Sequence, residues 1–447
     1  KYLMSKEKKL IKEVNQALKN STILRKNENF IDRISYMKNN MKYNKAYNYN
    51  KQKKIDYFLS KFKDYRDNWI DQPNGCVEKK LLSNDLKKKN ITPLSIDIEV
   101  SAFCDLACPF CFREAIVTPD KIIDEKFCFK LIDQASEMGV PSIKFNWRGE
   151  PLLHPKISKF IDYAKKRGII DTIINTNATH LTEEKSKELI NSGLDYIIYS
   201  FDGGTKKTYE KMRPGRFKKN KFEDVYSNIK KFKEIKQKLN SKFPYTKIQM
   251  IITHETVNEV DSFFKMFNPI VDDVSVISYT ERGGDFDKLT EKEKKIYNQK
   301  LKKFNLPSNT PYSRSIDGEI KVSKKRLPCE QPYQRLMVTY EGKVAMCCMD
   351  WGAKHPVGYA DAKGFKNIKD YKQVFDRIKD KKKGFELMSQ AKMPDNFNPN
   401  LDKNVQELKQ IWFGKEIDEV RKKQISNEAE KLDICKNCTY QNIYEWK

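Results

Sequence analysis

Residues 94–111 read Leu-Ser-Ile-Asp-Ile-Glu-Val-Ser-Ala-Phe-Cys-Asp-Leu-Ala-Cys-Pro-Phe-Cys, an apolar strand-like run followed at once by three cysteines. Cys104, Cys108 and Cys111 have the spacing CxxxCxxC. Four thiolates normally hold a four-iron iron–sulfur cluster, so three clustered ligands leave one iron open to a cofactor. The alternatives are a partial zinc site or three core thiols. Because zinc sites favour paired CxxC units, the triad favours the cluster.

Beyond this run, apolar strand-like stretches alternate with helical ones. Such alternation predicts βαβ units and a parallel sheet. We predict strands at 94–100, 142–146, 172–175, 196–201, 247–253 and 274–278, with helices after each of the first five, among them 124–138, 155–166 and 182–191. Enzymes whose parallel βαβ units form a barrel place their catalytic residues at the C-terminal ends of the strands. The cysteine triad lies at such a strand end.

The triad, with Phe110 before its last cysteine, resembles the signature of the radical SAM superfamily. In that family the open iron chelates S-adenosylmethionine (SAM). The resemblance covers roughly residues 92–280 and implies an α/β fold with an incomplete (β/α)6 barrel. It also implies reductive cleavage of SAM to a 5′-deoxyadenosyl radical, which abstracts hydrogen from the substrate. An electron donor such as flavodoxin or ferredoxin would then be a partner.

Further motifs resemble the SAM-binding elements of the same family. Residues 146–151, Asn-Trp-Arg-Gly-Glu-Pro, resemble its Gly-Gly-Glu-Pro motif, with Arg148 at the first glycine. Glycine permits close backbone approach, and the glutamate is a charge-assisted acceptor for the SAM ammonium. Residues 175–177 resemble its Thr-Asn-Gly turn, with Ala178 at the glycine. The resemblance assigns cofactor binding to Phe110, Gly149, Glu150, Asn177, Ser200, Asp202 and Arg213.

Two of these residues carry a more specific role. In relatives, the serine and arginine contact the SAM ribose and carboxylate, and these roles fall on Ser200 and Arg213. The fork of an arginine can donate two parallel hydrogen bonds to a carboxylate. From the residues alone, Asp202 and Arg213 could instead form an ion pair at a strand end.

The C-terminal region holds a second set of cysteines. Cys329 and Cys347 are separated by 17 residues, and Cys435 and Cys438 form a CxxC near the end. This pattern resembles a shortened SPASM/twitch extension, which implies one auxiliary four-iron cluster with all four ligands supplied. Structural zinc on the same thiolates is the alternative.

Cys348 is left over from both sets. We expect the strand-like run 343–349 to point adjacent side chains to opposite faces, so that Cys348 faces away from the cluster held by Cys347. It is then either a buried hydrophobe or a hydrogen-atom donor to a substrate radical.

The chain divides by composition into four segments. Residues 1–90 are polar and helical, and their apolar positions, such as Phe58, Phe62 and Trp69, predict a helical cap on the next domain or a basic docking surface. We assign 91–284 to the partial barrel, 285–326 to a linker with a helix at 291–303, and 327–447 to the auxiliary-cluster domain. Residues 36–54, rich in Asn, Lys and Tyr, suggest a loop.

Charge and cysteine usage limit the location and partners. The net charge of +26 suggests an anionic partner. However, lysine is spread evenly over the 447 residues and forms no focused basic patch, which argues against a nucleic-acid substrate. No run of about 18 apolar residues predicts a membrane span. Cysteines grouped as metal ligands fit a reducing cytoplasm.

Three functions are compatible with the sequence. One is oxidation or epimerisation of a small sugar-like or cyclitol-like metabolite, as in a twitch-domain aminocyclitol dehydrogenase. Another is modification of a ribosomally made peptide, which often comes with a β-containing leader-binding unit. The third is a metal-bound RNA-binding or structural protein, which would leave Glu150, Ser200 and Arg213 without a role.

Overall fold

The computed structural model describes residues 31–44, 51–111, 113, 116–253, 255–278, 312–314, 320–380, 401–436, 438, 440 and 443–446. Its strands are β1 Ser95–Ile98, β2 Ser142–Lys144, β3 Asp171–Thr176, β4 Tyr196–Ser200, β5 Tyr245–Ile252, β6 Asp273–Ser278, β7 Tyr312–Arg314, β8 Ile320–Arg326, β9 Arg335–Val338, β10 Lys343–Ala345, β11 Pro356–Tyr359 and β12 Tyr444–Trp446.

The helices lie between these strands and before them. They are α1 Arg33–Asn40, α2 Lys51–Glu78, α3 Ser83–Lys88, α4 Glu125–Glu137, α5 Ile157–Lys166, α6 Glu183–Asn191, α7 Lys206–Met212, α8 Phe222–Lys238, α9 Val260–Phe267, α10 Gln331–Gln334, α11 Lys363–Lys366, α12 Ile368–Asp380, α13 Leu408–Trp412, α14 Lys415–Ile425 and α15 Asp433–Lys436. Short 3₁₀ turns occur at Met41–Tyr43, Pro151–Leu153, Val257–Glu259 and Ala429–Lys431.

Strands β1 to β6 form one parallel sheet in chain order, with a helix after each of the first five. This confirms the α/β prediction, and the six strands lie where the sequence placed them to within a few residues. Apolar side chains such as Ile96, Ile143 and Ile197 face the helices and are fully buried. The opposite face of the same strands carries polar residues, because adjacent side chains of a strand alternate between faces.

The C-terminal region continues the same sheet. β9 pairs in parallel with β1, and β10 and β11 extend the edge as antiparallel strands, giving a nine-stranded sheet in the order β11-β10-β9-β1-β2-β3-β4-β5-β6. A separate three-stranded sheet joins β7, β8 and β12. The auxiliary region is therefore hydrogen-bonded to the first strand of the barrel, the strand that leads into the cysteine triad.

Helices α1 and α2 cover the N-terminal ends of the barrel strands. Tyr36 and Phe62 pack there with Tyr245, the first residue of β5. Arg33 pairs with Asp171, the first residue of β3. These contacts make the N-terminal helices a cap on the base of the barrel. Helix α1 and the first turn of α2 occupy parts of the stretch expected to be a loop, so that expectation was wrong for residues 36–40 and 51–54.

The local signal for α1 is its N-cap. Asp32 accepts hydrogen bonds from the backbone N–H groups of Ile34 and Ser35, and this capping offsets the weak helix propensity of a polar stretch. The helix predicted at 291–303 and most of the linker lie outside the described residues. Among the helices that are described, none is long and apolar enough to cross a membrane.

Candidate SAM and iron–sulfur sites

The cysteine triad lies in the loop after β1, and neighbouring segments hold this loop from two sides. On one side, Gly149 N donates to Ser101 O at 3.1 Å and Glu150 N donates to Phe103 O at 2.8 Å. On the other, Arg216 donates from its backbone N to Asp105 O at 2.8 Å and from Nη1 to Cys104 O at 2.9 Å. The backbone of the loop is therefore fixed by contacts from the ends of β2 and α7.

The three thiols of the triad lie within electrostatic range of one another. Burial raises the pKa of Cys104 to about 12. Burial also raises the pKa of Cys108 well above its usual range, which Arg213 opposes and Cys111 and Cys104 reinforce. Mutual destabilisation of thiolates is relieved when they bind a cationic metal centre, which binds the deprotonated form. The donor set thus fits a cluster.

Glu150 is buried at the end of the β2 loop, and both of its carboxylate oxygens accept hydrogen bonds. Oε1 accepts from Thr176 Oγ1 at 2.7 Å and from Leu152 N at 3.0 Å, and Oε2 accepts from Asn177 N at 2.7 Å. Burial raises the pKa of Glu150 to about 7 against these hydrogen bonds. The carboxylate therefore ties the β2 loop to the β3 turn.

Asn177 connects the β3 turn to the cysteine loop. Its Nδ2 donates to Asp105 Oδ1 at 2.9 Å and lies 3.9 Å from Cys104 Sγ. Thr179 Oγ1 donates to the other oxygen of Asp105 at 2.7 Å. Asp105, which the sequence analysis did not single out, thus anchors the residue after the first cysteine. Its position beside that cysteine was the only signal for such a role.

Arg213 and Asp202 form a buried ion pair. Nη2 and Nε of Arg213 donate to Asp202 Oδ2 at 2.6 and 2.8 Å, and Asp202 Oδ1 accepts from Ile251 N at 2.7 Å. The guanidinium also lies 5.9 Å from the centre of the Phe110 ring. Ser200 is the last residue of β4 and is half-buried. Phe110, Asp202 and Arg213 are therefore brought together, with Ser200 two residues before the aspartate.

Arg148, which replaces the first glycine of the family motif, points away from the cysteine triad. Its Nε and Nη2 donate to the two oxygens of Glu99 at 2.5 and 2.7 Å, and both side chains are fully buried. Glu99 Oε2 also accepts from Tyr340 N at 3.2 Å. The substitution thus creates an ion pair between the β2 loop and the end of β1, next to the β9–β10 hairpin.

A cavity of about 420 Å³ lies at the base of the barrel, between the N-terminal halves of the strands and the N-terminal helices, and its lining includes no residue of the cysteine triad or of the SAM motifs. Its charged lining comes from neighbouring strands, since Asp97 of β1 is in register with Lys144 of β2, and Lys247 of β5 with Asp273 of β6. Lys247 Nζ lies 2.8 Å from Asp273 Oδ2. Arg335 of β9 also lines the cavity. A small polar molecule would find both charge signs here.

The second cysteine set is also assembled by the fold. Cys329, Cys347, Cys435 and Cys438 are all buried. Burial raises the pKa of Cys329 well above its usual range, and Cys438 and Cys435 reinforce the shift. Burial likewise raises the pKa of Cys435 to about 12 and of Cys438 to about 11. The fold thus brings four thiols from three chain segments close to one another, and their role as the ligands of one auxiliary site stays a prediction.

Polar contacts shape this auxiliary site. Gln424 of α14 accepts from Cys329 N at 3.0 Å and places its Nε2 3.5 Å from Cys435 Sγ. Asp350 accepts backbone N–H groups from Lys354 at 2.8 Å and from Met346 at 3.3 Å, which shapes the loop around Cys347. Neither residue stood out in the sequence, because a single Gln or Asp carries no spacing signal.

The expectation for Cys348 was wrong in its geometry. β10 ends at Ala345, and residues 347 and 348 lie in a turn, so strand alternation does not separate their side chains. After burial, Cys348 is the strongest influence raising the pKa of Cys347, and it also raises the pKa of Cys329. Cys348 also packs with Trp147 and Met337. Its thiol therefore lies beside the auxiliary set and not on the far side of it.

Among the described residues, no group of three or more His, Cys, Asp or Glu side chains is arranged to hold a single metal ion. In a four-iron cluster each thiolate binds a different iron, so the donors surround the cluster and need not converge on one point. The triad and the four-cysteine set fit iron–sulfur clusters in donor type and number.

The comparisons with known proteins agree with these two sites. Residues 98–267 match the family model described as the radical SAM superfamily. Residues 329–392 match the model of the SPASM iron–sulfur cluster-binding domain. The first type of domain binds a [4Fe-4S] cluster with SAM, and the second binds auxiliary iron–sulfur clusters. Both predicted cofactor types are therefore confirmed.

Two curated relatives and one solved structure illustrate the similarity. The tungsten-containing aldehyde ferredoxin oxidoreductase cofactor-modifying protein of Pyrococcus furiosus is 33% identical over 24% of this chain and 30% of its own length. The GTP 3′,8-cyclase of Chlorobaculum tepidum is 36% identical over 24% of this chain and 32% of its own length. The chain thus spans about a third of these relatives. Streptococcus suis SuiB bound to precursor peptide SuiA has a TM-score of 0.45 at 16% identity, covering 75% of this chain and 68% of its own.

Proposed function

We propose that this chain, a member of the radical SAM superfamily with a SPASM-type domain, abstracts a hydrogen atom from a small polar metabolite of the sugar or cyclitol kind. The reaction would end in oxidation or epimerisation. One auxiliary cluster, held by Cys329, Cys347, Cys435 and Cys438, is part of the proposal. So are an electron donor of the flavodoxin or ferredoxin type and a cytoplasmic location.

The observation that supports a small polar substrate is the polar interior of the barrel, whose lower part is the cavity at its base. The cavity volume of about 420 Å³ falls in the range of small-molecule sites. Its lining combines Asp97, Lys144 and Lys247 with the aromatic rings of Tyr196 and Tyr245. Charged groups of both signs offer donors and acceptors to a hydroxyl-rich or amino-bearing molecule, and aromatic faces suit the C–H face of a ring.

The chain's own residues would bind and orient the reacting groups. When bound, the cluster and SAM supply a 5′-deoxyadenosyl radical, and the chemistry of that step belongs to the cofactors. Glu150 would accept a hydrogen bond from the SAM ammonium, in addition to those from Thr176 and Asn177. Arg213, held by Asp202 through Nε and Nη2, would present its remaining N–H donors to the SAM carboxylate, and Ser200 would contact the ribose. The burial of Glu150 and Arg213 would limit the access of water to the bound cofactor.

The fate of the substrate radical would depend on Cys348. For epimerisation, the thiol transfers a hydrogen atom, so an S–H bond breaks and a C–H bond forms. The sulfur radical left behind is restored by one electron from the external donor and one proton from solvent. For oxidation, a cluster held by Cys329, Cys347, Cys435 and Cys438 would supply the electron acceptor, and Cys348 would transfer no hydrogen atom. Cys348 packs against the apolar cluster that contains Trp147 and Met337, and it lies within electrostatic range of Cys329 and Cys347, which supports a role for it beside the auxiliary site.

Peptide modification remains the second candidate. The auxiliary domain supports it, because domains of this type also occur in enzymes that modify peptides. Against it, residues 31–44 and 51–94, the part described before β1, are helical or irregular and contribute no strand to a leader-binding unit. The GTP 3′,8-cyclase among the relatives carries a small-molecule substrate in its name, although the match covers a quarter of this chain.

The test is substrate-dependent release of 5′-deoxyadenosine from the anaerobically reconstituted chain. SAM and a chemical reductant would be offered with a panel of sugars and aminocyclitols or with a panel of peptides. We expect stimulation by members of the first panel. Stimulation by peptides alone would transfer the proposal to the second candidate. A Cys104→Ala/Cys108→Ala/Cys111→Ala variant serves as the matched control, and failure of the native chain to bind or cleave SAM would contradict radical chemistry.

A further inference from the structure

Two tryptophans join the SAM-binding loop to the auxiliary-cluster loop. Trp147 lies in the motif that ends in Glu150, and Trp351 follows Cys347 and Cys348. Their rings meet edge to face with centres 5.7 Å apart. Trp147 Nε1 also donates to the backbone carbonyl of Cys348 at 3.3 Å. Both indoles are buried, so the two loops are packed against each other at this point.

The neighbouring residue strengthens the same connection. Arg148 and Glu99 form the buried ion pair described above, and Glu99 also accepts from Tyr340 N in the β9–β10 hairpin. Displacing the hairpin would remove this hydrogen bond from a buried carboxylate, so the pair opposes movement of the hairpin relative to the β2 loop.

The other end of the motif contacts the first cluster loop. Gly149 and Glu150 donate backbone hydrogen bonds to Ser101 and Phe103, just before Cys104. Residues 147–150 therefore touch the auxiliary loop at one end and the triad loop at the other. Protein interiors are close-packed and transmit small displacements, so a shift of the auxiliary loop would move the SAM-binding motif.

We infer that Trp147 is a positioning residue that couples the auxiliary-cluster site to SAM binding. The auxiliary loop, when ordered by its cluster, holds Trp147 and thereby the Gly149–Glu150 segment in the conformation that binds SAM. Because energetic coupling between two sites is reciprocal, SAM in turn alters the environment of the auxiliary cluster. The inference depends on the two cofactors of the proposed function and not on the identity of the substrate.

The experiment compares SAM affinity with and without the auxiliary ligands. Equilibrium dialysis under anaerobic conditions would give the Kd for SAM in the native chain and in Cys435→Ala/Cys438→Ala. We expect at least about a fivefold weakening on loss of the auxiliary ligands. Trp147→Phe keeps an aromatic ring but removes the donor to the Cys348 carbonyl. In this background, Cys435→Ala/Cys438→Ala should change the Kd for SAM by less than about twofold. An equal factor in both backgrounds would overturn the inference.

A matched control and a second readout keep the test independent of folding defects. Trp412→Phe removes another buried indole whose Nε1 donates to a carbonyl, that of Ile91 at 2.9 Å, far along the chain from both loops. This variant should keep the full coupling. If the cysteine variant does not fold, SAM can be added to the fully loaded chain while the electron paramagnetic resonance spectrum of the auxiliary cluster is recorded. SAM should shift that spectrum in the native chain and not in Trp147→Phe, and equal shifts would also overturn the inference.

Discussion

Glu150 combines two requirements that conflict in a buried carboxylate. Its fold role needs hydrogen bonds from Thr176, Asn177 and Leu152, and its proposed cofactor role needs a negative charge available to an ammonium group. Burial disfavours the charge and raises the pKa to about 7. Because those donors compensate part of the desolvation, a SAM ammonium would find a carboxylate that is already oriented and easily ionised.

Replacing Glu150 by Gln should therefore affect both SAM binding and stability. The amide cannot accept from Asn177 N and Thr176 Oγ1 at once without turning its NH₂ group toward a donor. We expect a loss of about 1–3 kcal/mol in the free energy of unfolding and a SAM Kd weakened roughly ten- to hundredfold. Urea denaturation and equilibrium dialysis would measure these. Glu183→Gln, an exposed helix position, is the control, and unchanged stability in Glu150→Gln would contradict the hydrogen-bonded role.

Cys348 gives a prediction that distinguishes the two outcomes proposed for the substrate radical. If the substrate radical takes a hydrogen atom from the Cys348 thiol, Cys348→Ala should stop product formation. 5′-Deoxyadenosine should still accumulate, because the initial abstraction of hydrogen from the substrate does not need the thiol. The measurement is product against 5′-deoxyadenosine by chromatography, with Cys128→Ala, a thiol buried in helix α4, as control. Undiminished product from Cys348→Ala would remove the residue from the mechanism and favour oxidation.

At the residue scale, the sequence identified chemical types well and side-chain directions poorly. The cysteines could be grouped into two sets that the fold brings together, because metal ligation imposes spacing on the chain. The pairing of Arg148 with Glu99 could not, because nothing local connects positions 49 residues apart. The direction of Cys348 was predicted from strand alternation, and β10 ends two residues before Cys347, so the rule did not apply.

Among the structural elements, the β2 loop makes a tight backbone approach to the triad loop. A side chain at Gly149 would place its Cβ 2.3 Å from Ser101 O and 2.4 Å from Phe103 O. Real carbon atoms do not approach backbone oxygens this closely. The absence of a side chain is what lets this loop form backbone hydrogen bonds to the triad loop.

Gly149→Ala should consequently displace the triad loop. We expect a loss of about 1–3 kcal/mol in stability from the forced overpacking, together with lower iron retention at the triad. Gly75→Ala is the control, since its Cβ would meet no atom within 4 Å and alanine favours helix α2. Thermal unfolding and iron analysis of both variants provide the comparison. Retention of iron and stability by Gly149→Ala would show that the loop can move without cost.

The strands and most helices were predictable because their apolar periodicity is strong and repeated. β3, β4 and β5 alternate buried and half-buried residues along most of their length, which is the pattern that distinguishes a two-faced strand. Strand β9 was not predicted as part of the barrel sheet. The four residues Arg335–Val338 carry a local signal for a strand but none for its neighbour in the sheet. Its pairing with β1 joins segments that are far apart in the chain, and the sequence pattern does not specify such a pairing.

For the whole molecule, the base and one edge of the barrel are covered by segments outside it. Helices α1 and α2 cap the strand N-termini, and the strands β9 to β11 extend the β1 edge. The C-terminal ends of the strands carry the SAM motifs, and the cavity lies at the opposite end, between the strand N-termini and the cap. This arrangement leaves the chemistry at one end of the barrel and places the auxiliary thiols beside it, which is the geometry that a two-cluster enzyme needs.

Metal content is the prediction that tests this whole arrangement. The triad and the four-cysteine set belong to different loops, so each should assemble its own four-iron cluster, giving about eight iron and eight sulfide per chain after anaerobic reconstitution. Cys104→Ala/Cys108→Ala/Cys111→Ala should retain about half, because the auxiliary ligands are untouched. The complementary variant Cys329→Ala/Cys347→Ala/Cys435→Ala/Cys438→Ala should also retain about half and, unlike the first, still bind SAM, with the weaker affinity expected from the loss of coupling. Iron, sulfide and zinc would be measured on the same samples. Stoichiometric zinc that disappears only in the second variant would show that the four thiolates hold a structural metal, and in that case the auxiliary site could not take an electron from the substrate.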